Sequence, residues 1–341
     1  MSMRTPQAIL LANKVSWVDG DVFDYVYGKE RLSRIAALTQ LYPTKITSEN
    51  FARHQSALGE VEVIFSCWGM PSLNAEQLAA LPALKAVFYA SGSVKAFAGP
   101  LLERGIVVCS AAEANAIPVA EFCLAQILLS CKAAFRNSSR CRLGPWIETE
   151  MPSGPGAYGA TVALIAIGAV TRYLLKLLQP FNLRVIAVSD YLTQKEANAM
   201  GIAKLVDIET AFREGDIVSN HLPDLPELYK CFKQEHFASM REGATFINTG
   251  RGKQVDEPGM IAALQARPDL TVLLDVQHPE PPVAGSPLYT LPNVHMTSHI
   301  AGSKNNEVRR MADMMIEDFL AWRDGHPLRH AVRAEEFQKK A

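Results

Sequence analysis

The stretch Gly159–Tyr191, GATVALIAIGAVTRYLLKLLQPFNLRVIAVSDY, decides the fold of this chain. The apolar and β-branched run at 161–165 predicts a buried parallel strand. A turn of small residues follows at 166–171, then an apolar-periodic helix at 172–178 and a second strand at 184–188. Strand, helix and strand in this order and length predict a βαβ unit.

The turn matches a dinucleotide-binding turn only in part. Such a turn carries G-x-G-x-x-G, and an acid that binds the ribose ends the second strand. The three glycine positions are Ala166, Gly168 and Thr171 in this chain. Ser189 stands in the place of the acid, with Asp190 after it. Only the middle glycine, which lets the backbone approach the pyrophosphate, is kept. From these residues alone, a βαβ unit that binds no nucleotide remains an alternative.

The composition is that of an ordinary folded protein. The chain is 48% hydrophobic and 20% charged, and its 341 residues predict two domains. A net charge of -1 gives no reason to expect nucleic acid or an anionic membrane as a partner. No apolar run approaches the roughly 20 residues of a membrane span, and the N-terminus lacks the pattern of a secretory signal.

The six cysteines form no C-x-x-C pair and no tight framework. Reduced thiols in a cytoplasmic protein are therefore the natural interpretation. No clustered spacing of histidine and cysteine suggests a metal site, and we expect none.

Short β-prone runs alternate with helical segments on both sides of the central crossover. Before it, they lie at residues 8–12, 36–41, 61–66, 85–90 and 106–110. After it, they lie at residues 204–206, 216–220, 244–248, 271–276 and 294–298. This alternation predicts an α/β fold with two doubly wound domains, each built on a mainly parallel sheet.

Two longer helices are predicted outside the crossover. The first, at 118–135, has Pro118 at its first position and is apolar nearly all round. We expect it to be buried, as a bridge between domains or as a dimer interface. The second, at 303–323, would be capped by Ser303 and carries one apolar face. Because the second sheet is complete by residue 298, this helix is expected to return to the first domain.

Polar residues follow three predicted strands of the second domain. Arg251 lies in INTGRG at 247–252, Glu280 in LDVQHPEP at 274–281, and His299 in TSHIAG at 297–302. The carboxyl ends of parallel strands share one edge of the sheet, where a cofactor would lie. An arginine, a glutamate and a histidine together suit the binding of a carboxylate and the transfer of a proton.

In this order, these segments resemble the D-isomer-specific 2-hydroxyacid dehydrogenase family. The first domain also matches, through the turn at Gly92-Ser93 and the stretch ANAIPVAE at 114–121. The resemblance implies a flavodoxin-like substrate domain at 1–125 plus 305–341 and a Rossmann-type NAD(P)-binding domain at 126–304. It also implies an active-site cleft between the domains and a homodimer.

The resemblance implies catalytic roles for three residues. Arg251 would bind the carboxylate and the 2-oxo oxygen of the substrate. His299 would donate a proton as the carbonyl is reduced, or accept one as the alcohol is oxidised. Glu280 would hydrogen-bond His299, fix its ring and raise its pKa.

Binding roles are implied for further residues. Backbone groups of Gly92, Ser93 and Val94 would hold the substrate carboxylate, and Trp68 would lie near its side chain. The residues expected at the cofactor are Gly168, Val170, Thr171, Arg172, Ser189, Asp190 and Asp275, the last of them at the nicotinamide amide. His221, at a strand end next to Pro223, could line the cofactor cleft.

Departures from the family pattern narrow the expected function. Formate-oxidising members carry Gln where Glu280 stands, so formate is disfavoured. Members acting on phosphorylated acids carry an arginine near residue 66, where this chain has Cys67-Trp68-Gly69. Trp68 favours an apolar or small 2-oxo acid. Ser189 removes one obstacle to a 2′-phosphate, but Asp190 would repel it, so NAD is expected and NADP is the alternative.

The predicted activity is reversible hydride transfer between NAD(P)H and C2 of a small 2-oxo acid, with a D-2-hydroxy acid as the reduced form. Ala166 and Thr171 leave an alternative open. A family member with an altered phosphate turn could have lost turnover and act as an NAD(H)-binding or regulatory module.

Overall fold

The first sheet of the molecule has the strand order of a flavodoxin-like domain. A computed structural model describes residues 5–337, and within them this sheet has five parallel strands. They are β1 (Gln7–Leu10), β2 (Gln40–Leu41), β3 (Val63–Ser66), β4 (Ala86–Tyr89) and β5 (Val107–Ser110). Their spatial order is β2-β1-β3-β4-β5. This is the flavodoxin-like pattern, which confirms the predicted fold class of the first domain.

The second sheet has seven strands within the described residues, and all its pairs are parallel. They are β6 (Thr161–Ile165), β7 (Arg184–Val188), β8 (Lys204–Leu205), β9 (Ile217–Asn220), β10 (Thr245–Asn248), β11 (Thr271–Leu274) and β12 (Val294–Met296). The order β12-β11-β10-β9-β6-β7-β8 contains the Rossmann order with one strand added. The Rossmann-type prediction is therefore confirmed.

Helices cover both faces of each sheet. In chain order the α-helices are α1 (Val22–Val26), α2 (Gly28–Leu38), α3 (Phe51–His54), α4 (Ala75–Ala79), α5 (Ala98–Glu103), α6 (Ala112–Cys131), α7 (Ala134–Cys141), α8 (Ala169–Leu178), α9 (Gln194–Ala199), α10 (Ile208–Glu214), α11 (Gln234–Ala238), α12 (Glu257–Ala266), α13 (Val308–Arg323) and α14 (Ala334–Phe337). Each sheet has an apolar core on either side, as a doubly wound sheet requires.

The chain divides into two compact units. The first ends at Asn115 and resumes at Ser303, and the second is Ala116–Gly302. The predicted domain limits, after residues 125 and 304, fall later in the chain than these boundaries. Helix α6 accounts for the first difference, because its opening turn belongs to the first unit and the rest to the second.

Helix α13 packs on the first sheet. Its apolar face, which includes Met311, Met315 and Phe319, belongs to the same core as strands β3 and β4. The Phe319 ring lies 5.1 Å from that of Phe65 and 5.6 Å from that of Phe88, centroid to centroid. Truncating such a buried ring costs about 3–5 kcal/mol in proteins generally. Met311 and Met315 lie in this core as well, so the methionine stripe of the helix is core packing.

Three predictions about helix and strand limits were wrong. Pro118 lies inside α6, because the helix already begins at Ala112. The predicted strand at 36–41 shrinks to Gln40–Leu41, since α2 extends to Leu38. Ser303 does not cap α13, which begins at Val308 after a 3₁₀ turn at Asn305–Glu307. Instead its N–H donates to Oδ1 of Asn115 at 2.9 Å.

Among the described residues, one helix is long and apolar enough to cross a membrane by length and composition alone. It is α6, and 56% of its apolar window is buried in the structure. The core helix of a globular domain passes the same test, and the apolar residues of α6 from Val119 to Cys131 do pack into the core of the second unit. The expectation of a buried helix is therefore met only in part, because Leu129 of the same helix remains 47% exposed.

Candidate functional site

The dinucleotide-type turn lies where the strand order of the second sheet reverses. Strand β6 is flanked by β7 on one side and β9 on the other. The chain leaves β6 for β7 and later crosses to β9, so a crevice opens at the carboxyl end of β6. Helix α8 begins at Ala169, directly after the turn and three residues before the predicted start. Val170, Thr171 and Arg172 therefore all lie in the first turn of the helix.

The backbone of this turn is open to a ligand. A Cβ built on Gly168 meets no heavy atom of the described residues within 4 Å. Gly168 is also the N-cap of α8, and none of the described side chains caps the helix there. The free N–H groups of a helix N-terminus, reinforced by the helix dipole, favour phosphate. The turn therefore fits the pyrophosphate of a dinucleotide.

The two lost glycines leave the geometry of the turn intact. Ala166 adopts a φ of 72°, in the left-handed region that favours glycine. The hydroxyl of Thr171 donates to the Ala166 carbonyl at 2.7 Å, which ties the turn to the helix. Thr171 is fully buried at the position where the third glycine of the pattern allows close packing between helix and strand. Sequence alone could not show that this substitution supplies a hydrogen bond.

Replacing Ala166 with glycine should stabilise the protein. An alanine in the left-handed region costs about 1–2 kcal/mol. Glycine removes this cost but gives the unfolded chain more conformational freedom, so we expect a net gain of about 1 kcal/mol in the free energy of unfolding. Urea unfolding measures it. Ala262→Gly is the control, since Ala262 lies inside helix α12 and the change there should lower stability by about 1 kcal/mol. A loss of stability in Ala166→Gly would contradict a strained turn.

The end of β7 carries the predicted ribose-binding residues. Asp190 is exposed, whereas the hydroxyl of Ser189 accepts from the N–H of Leu192 at 3.4 Å within its own turn. The hydroxyl of Tyr191 donates to the carbonyl of Ile167 in the phosphate turn. Tyr191 was not among the predicted site residues. Its contact links the segment after β7 to the turn after β6.

A buried amide network shapes the loop that carries Arg251. Asn220 and Asn248 end the neighbouring strands β9 and β10 and pair in register. The Asn220 amide donates to Asn248 Oδ1 at 2.9 Å and to Gln254 Oε1 at 2.8 Å. The N–H of Arg251 donates to the same Gln254 oxygen at 3.1 Å. A satisfied polar network of this kind rigidifies its surroundings, so the backbone of Arg251 is fixed.

The glycines on either side of Arg251 are required by packing. A Cβ on Gly250 would lie 2.6 Å from the Asn220 amide nitrogen. A Cβ on Gly252 would lie 2.0 Å from the carbonyl carbon of Gln277. The Arg251 loop therefore presses against the segment that leads to Glu280. An arbitrary exposed loop would not show this close approach.

The Arg251 side chain is held by a carboxylate that the sequence analysis missed. Its Nε lies 3.3 Å from Oδ2 of Asp224, and its Nη1 donates to the Gly250 carbonyl at 2.8 Å. Asp224 also pairs through Oδ1 with Lys253. No motif singled out in the sequence includes Asp224, which lies four residues after the end of β9.

Asp275 holds the loop that carries His299. Its carboxylate is buried and accepts from Thr297 Oγ1 at 2.7 Å, from the N–H of Ile300 at 2.7 Å and from the N–H of Ala301 at 3.0 Å. The N–H of His299 donates to the Asp275 carbonyl at 2.9 Å. His299 adopts a φ of 58° in this turn. Asp275 was expected at the nicotinamide amide, and in the structure it sets the shape of the His299 loop.

His299 and Glu280 form a pair at the same edge of the sheet. Nδ1 of His299 lies 3.2 Å from Oε1 and 3.3 Å from Oε2 of Glu280. Both side chains are accessible, with 51% of His299 and 38% of Glu280 exposed. A carboxylate on one ring nitrogen fixes the tautomer and orientation of an imidazole. The other nitrogen, Nε2, is then the one left for a reacting group.

The three predicted catalytic residues thus come from consecutive strands. Arg251 follows β10, Glu280 lies in the loop after β11, and His299 follows β12. These strands are neighbours in the sheet, so their carboxyl ends share one edge. Two other histidines make ring contacts: the His295 ring lies 5.2 Å from that of Phe135, and the His278 ring lies 6.4 Å from that of Tyr229.

His221 directly follows strand β9 and is uncharged at neutral pH. Burial lowers its pKa to about 4, and its Nε2 lies 3.0 Å from the hydroxyl of Ser219. Its N–H donates to the Ile165 carbonyl at the end of β6. The residue lies at the carboxyl edge of the sheet, and its role in lining a cofactor cleft stays a prediction. A neutral imidazole there is a poor proton donor at neutral pH.

The burial of His221 should make stability depend on pH. An unfolded histidine takes a proton near pH 6.5, whereas folded His221 takes one only near pH 4. The unfolded state binds more protons in between, so stability is lost as pH falls through this window, by at most about 3 kcal/mol. Comparing urea unfolding of wild type and His221→Gln at about pH 7 and about pH 5 measures the effect. Equal losses in both proteins would contradict it.

The residues predicted to bind the substrate lie at one edge of the first sheet. The turn of Gly92, Ser93 and Val94 follows β4, and Trp68 follows the neighbouring strand β3. The hydroxyl of Ser110 donates to the Ser91 carbonyl at 3.1 Å and thereby holds the turn.

Among residues 5–337, no group of three or more His, Cys, Asp or Glu could hold a metal ion.

Trp68 belongs to an aromatic cluster that the sequence did not reveal. Its ring lies 4.9 Å from that of Trp17, in an edge-on arrangement, and 6.4 Å from that of Tyr25. The ammonium of Lys304 lies over the Trp17 ring at 4.8 Å. Trp17 remains 49% exposed. The strand-end edge of the first unit therefore presents an apolar, aromatic surface.

The second unit has the defining features of a dinucleotide-binding α/β domain. These are a Rossmann strand order, an open turn at a helix N-terminus and polar loops at the carboxyl edge. The family model described as "D-isomer specific 2-hydroxyacid dehydrogenase, NAD binding domain" matches residues 124–301. The chain belongs to the D-isomer specific 2-hydroxyacid dehydrogenase family. The family inferred from the sequence is thereby confirmed.

Relatives with established names span several members of this family. D-3-phosphoglycerate dehydrogenase of Archaeoglobus fulgidus is 30% identical over 67% of this chain and 43% of its own length. Glyoxylate/hydroxypyruvate reductase B of Klebsiella pneumoniae is 27% identical over 90% of this chain and 94% of its own. This chain thus spans less than half of the phosphoglycerate dehydrogenases that it matches.

A solved structure shares the fold over nearly the whole chain. A phosphoglycerate oxidoreductase from Rhizobium etli superposes with a TM-score of 0.80 at 24% identity, covering 97% of this chain and 98% of that chain. At this level of identity, the likeness concerns the fold alone.

Proposed function

We propose that the protein transfers a hydride between a nicotinamide cofactor and C2 of a small 2-oxo or 2-hydroxy acid, with the D isomer as the hydroxy acid. One observation carries the proposal. The His299–Glu280 pair lies at the carboxyl edge of a Rossmann-type sheet, and Arg251 follows a strand of the same edge. The chemistry of these side chains matches the charges that such a reaction moves.

His299 would act on the oxygen at C2. With Nδ1 directed at Glu280, Nε2 can donate a proton to the developing alkoxide, or accept the hydroxyl proton in the reverse reaction. The Glu280 carboxylate holds the ring in the orientation that this transfer needs. A bound nicotinamide would supply or accept the hydride. The accessible positions of both side chains support contact with a ligand.

Arg251 would bind the substrate's carboxylate together with the 2-oxo oxygen. A guanidinium presents a fork of N–H donors that matches a carboxylate, and it stays charged at any working pH. A cation beside the 2-oxo oxygen also stabilises the negative charge that develops there during reduction. In the first unit, backbone groups of Gly92, Ser93 and Val94 are proposed to bind substrate.

NAD is the cofactor that the residues favour. The turn from Gly168 to Arg172 would hold the pyrophosphate through backbone N–H groups, with Ser189 and Asp190 at the adenosine ribose. Asp190 is exposed and carries a negative charge, which would repel a 2′-phosphate. The Ser189 hydroxyl accepts from the N–H of Leu192 and can still donate to a ribose hydroxyl. These observations support NAD over NADP.

The substrate is proposed to be an unphosphorylated 2-oxo acid with a small or apolar side chain. Cys67 is buried, and the Trp68 ring packs edge-on against Trp17 and at a tilt against Tyr25, so this edge of the first unit offers a mainly aromatic surface. Cys67-Trp68-Gly69 stands where family members that act on phosphorylated acids carry an arginine, and the nearby Lys304 ammonium lies over the Trp17 ring, 4.8 Å from its centroid.

A titration with NADH and NADPH, followed by a panel of 2-oxo acids, tests the proposal. We expect micromolar binding of NADH through quenching of tryptophan fluorescence, and NADH-dependent reduction of one or more unphosphorylated 2-oxo acids. Cofactor binding without turnover on the whole panel would favour a binding or regulatory module. Absence of binding of either cofactor at millimolar concentration would leave only the fold.

A further inference from the structure

Asp224 and Arg251 lie on adjacent loops of the second sheet. Strand β9 ends at Asn220 and strand β10 at Asn248, and these two residues are paired in register. Asp224 follows the first and Arg251 the second, so the two loops leave the sheet side by side. Asp224 Oδ2 lies 3.3 Å from Arg251 Nε, and Asp224 Oδ1 pairs with Lys253.

One buried amide holds both partners of this contact. Gln254, which is only 1% exposed, donates through Nε2 to the Pro223 carbonyl at 2.7 Å. Its Oε1 accepts the N–H of Arg251 at 3.1 Å. The backbones that carry Asp224 and Arg251 are thus tied to the same side chain. An ordinary surface ion pair between mobile side chains contributes little to stability. Here the backbone next to each partner is held by Gln254.

The contact leaves the binding edge of Arg251 free for a ligand. A guanidinium has five N–H donors. Nε is directed at Asp224 and one N–H of Nη1 at the Gly250 carbonyl. Donors remain on Nη1 and Nη2, and these two nitrogens form an edge that can bind a carboxylate with two parallel bonds. Asp224 therefore fixes the plane of the group without occupying that edge.

The charges agree with binding of a monoanion. Arg251 and Lys253 carry one positive charge each, and Asp224 carries one negative charge. The group as a whole keeps a single positive charge, opposite to that of a 2-oxo acid. Asp224 pairs with Lys253 as well as with Arg251. Its one negative charge is therefore divided between two cations, and Arg251 keeps part of its attraction for the carboxylate of a substrate.

We propose that Asp224 is a positioning residue: it orients the Arg251 guanidinium so that its Nη edge meets the substrate carboxylate. This inference rests on the proposed function. Its consequence is that loss of Asp224 weakens substrate binding more than it slows the chemical step. Removal of the carboxylate frees the guanidinium to rotate about its side-chain torsions, and ordering it again opposes binding.

Kinetics of Asp224→Ala test the inference. We expect KM for the 2-oxo acid to rise by about tenfold or more, with kcat within about threefold of wild type and NADH binding unchanged. Asp224→Glu should recover part of the affinity, because it restores the carboxylate. In an Arg251→Lys background, Asp224→Ala should add little, since the group that it positions is gone.

Glu214→Ala is the matched control. Glu214 also pairs with one lysine and one arginine of the second unit, Lys204 at 3.2 Å and Arg184 at 3.6 Å. Arg184 begins strand β7, so this cluster lies at the opposite, amino edge of the sheet. The same loss of charge there should leave KM unchanged.

Chemical labelling tests the contact without any activity. Phenylglyoxal reacts with accessible guanidinium groups, and peptide mass spectrometry reports the rate at Arg251. We expect labelling of Arg251 to become several-fold faster in Asp224→Ala and to stay unchanged in Glu214→Ala. Unchanged labelling and an unchanged KM would overturn the role of Asp224. If Arg251→Lys is nevertheless inactive, the proposed function survives that result.

Discussion

His299→Asn is expected to lower kcat by about a hundredfold to ten-thousandfold, the usual contribution of a positioned general acid or base. The variant keeps the backbone, because asparagine tolerates the left-handed φ of 58° that His299 adopts. It removes the imidazole that Glu280 orients and that would exchange a proton with the oxygen at C2. Steady-state kinetics in both directions measure the loss.

Two controls accompany this variant. NADH binding should match wild type, because the cofactor turn is untouched. Glu280→Gln should give a smaller decrease, since the ring keeps its place but loses the carboxylate that stabilises its charged form. A His299→Asn protein with near-normal kcat would remove His299 from the chemistry and leave the histidine as a structural residue.

Arg251→Ala is expected to lower kcat/KM by a hundredfold or more. Truncating one member of a hydrogen-bonded charge pair costs about 2–5 kcal/mol, and the guanidinium is proposed to bind both the carboxylate and the oxygen that becomes charged. Arg251→Lys should recover little, because an ammonium cannot form two parallel bonds to a carboxylate. Initial rates over a range of 2-oxo acid concentrations measure both variants.

Arg241→Ala controls for the loss of an arginine as such. Arg241 pairs with Asp216 at 2.9 Å in the same unit, before the start of strand β10 and away from the carboxyl edge. Its removal should cost little activity. Similar losses in Arg241→Ala and Arg251→Ala would mean that both act through stability, and the binding role of Arg251 would fall.

The sequence was sufficient for the architecture because buried parallel strands carry a clear signal. Runs such as Thr161–Ile165 and Thr271–Leu274 are mostly apolar and β-prone, and polar residues follow strands β10, β11 and β12. Since all strands of such a sheet run in one direction, residues after strand ends meet at one edge. Arg251, Glu280 and His299 could therefore be grouped before any coordinates were known.

The supporting contacts could not be predicted in the same way. The pairing of Asp224 with Arg251 depends on which strands are neighbours and on the direction of two side chains. The hydrogen bonds by which Asp275 holds the His299 loop depend on the left-handed φ of His299, which the residue type does not predict. Ala166 and Thr171 looked like losses in a glycine pattern, whereas one keeps the turn conformation and the other adds a hydrogen bond.

Helix limits failed where tertiary contacts override local signals. Pro118 usually starts a helix, but α6 has already run for six residues before it. Ser303 is a favoured cap, but the helix begins only at Val308, after a 3₁₀ turn at Asn305–Glu307, so Ser303 lies too far before it to cap it. Both errors lie next to boundaries between the two units, where local sequence preferences compete with packing.

Transfer of deuterium tests the central claim most directly. The protein is incubated with a 2-oxo acid and NADH deuterated at C4 of the nicotinamide, on each face in turn, and the product is examined by mass spectrometry and chiral chromatography. The account predicts that one labelled cofactor delivers its deuterium to C2 and that the product is the D-2-hydroxy acid. A product without deuterium at C2 from either cofactor, or an L product, would contradict it.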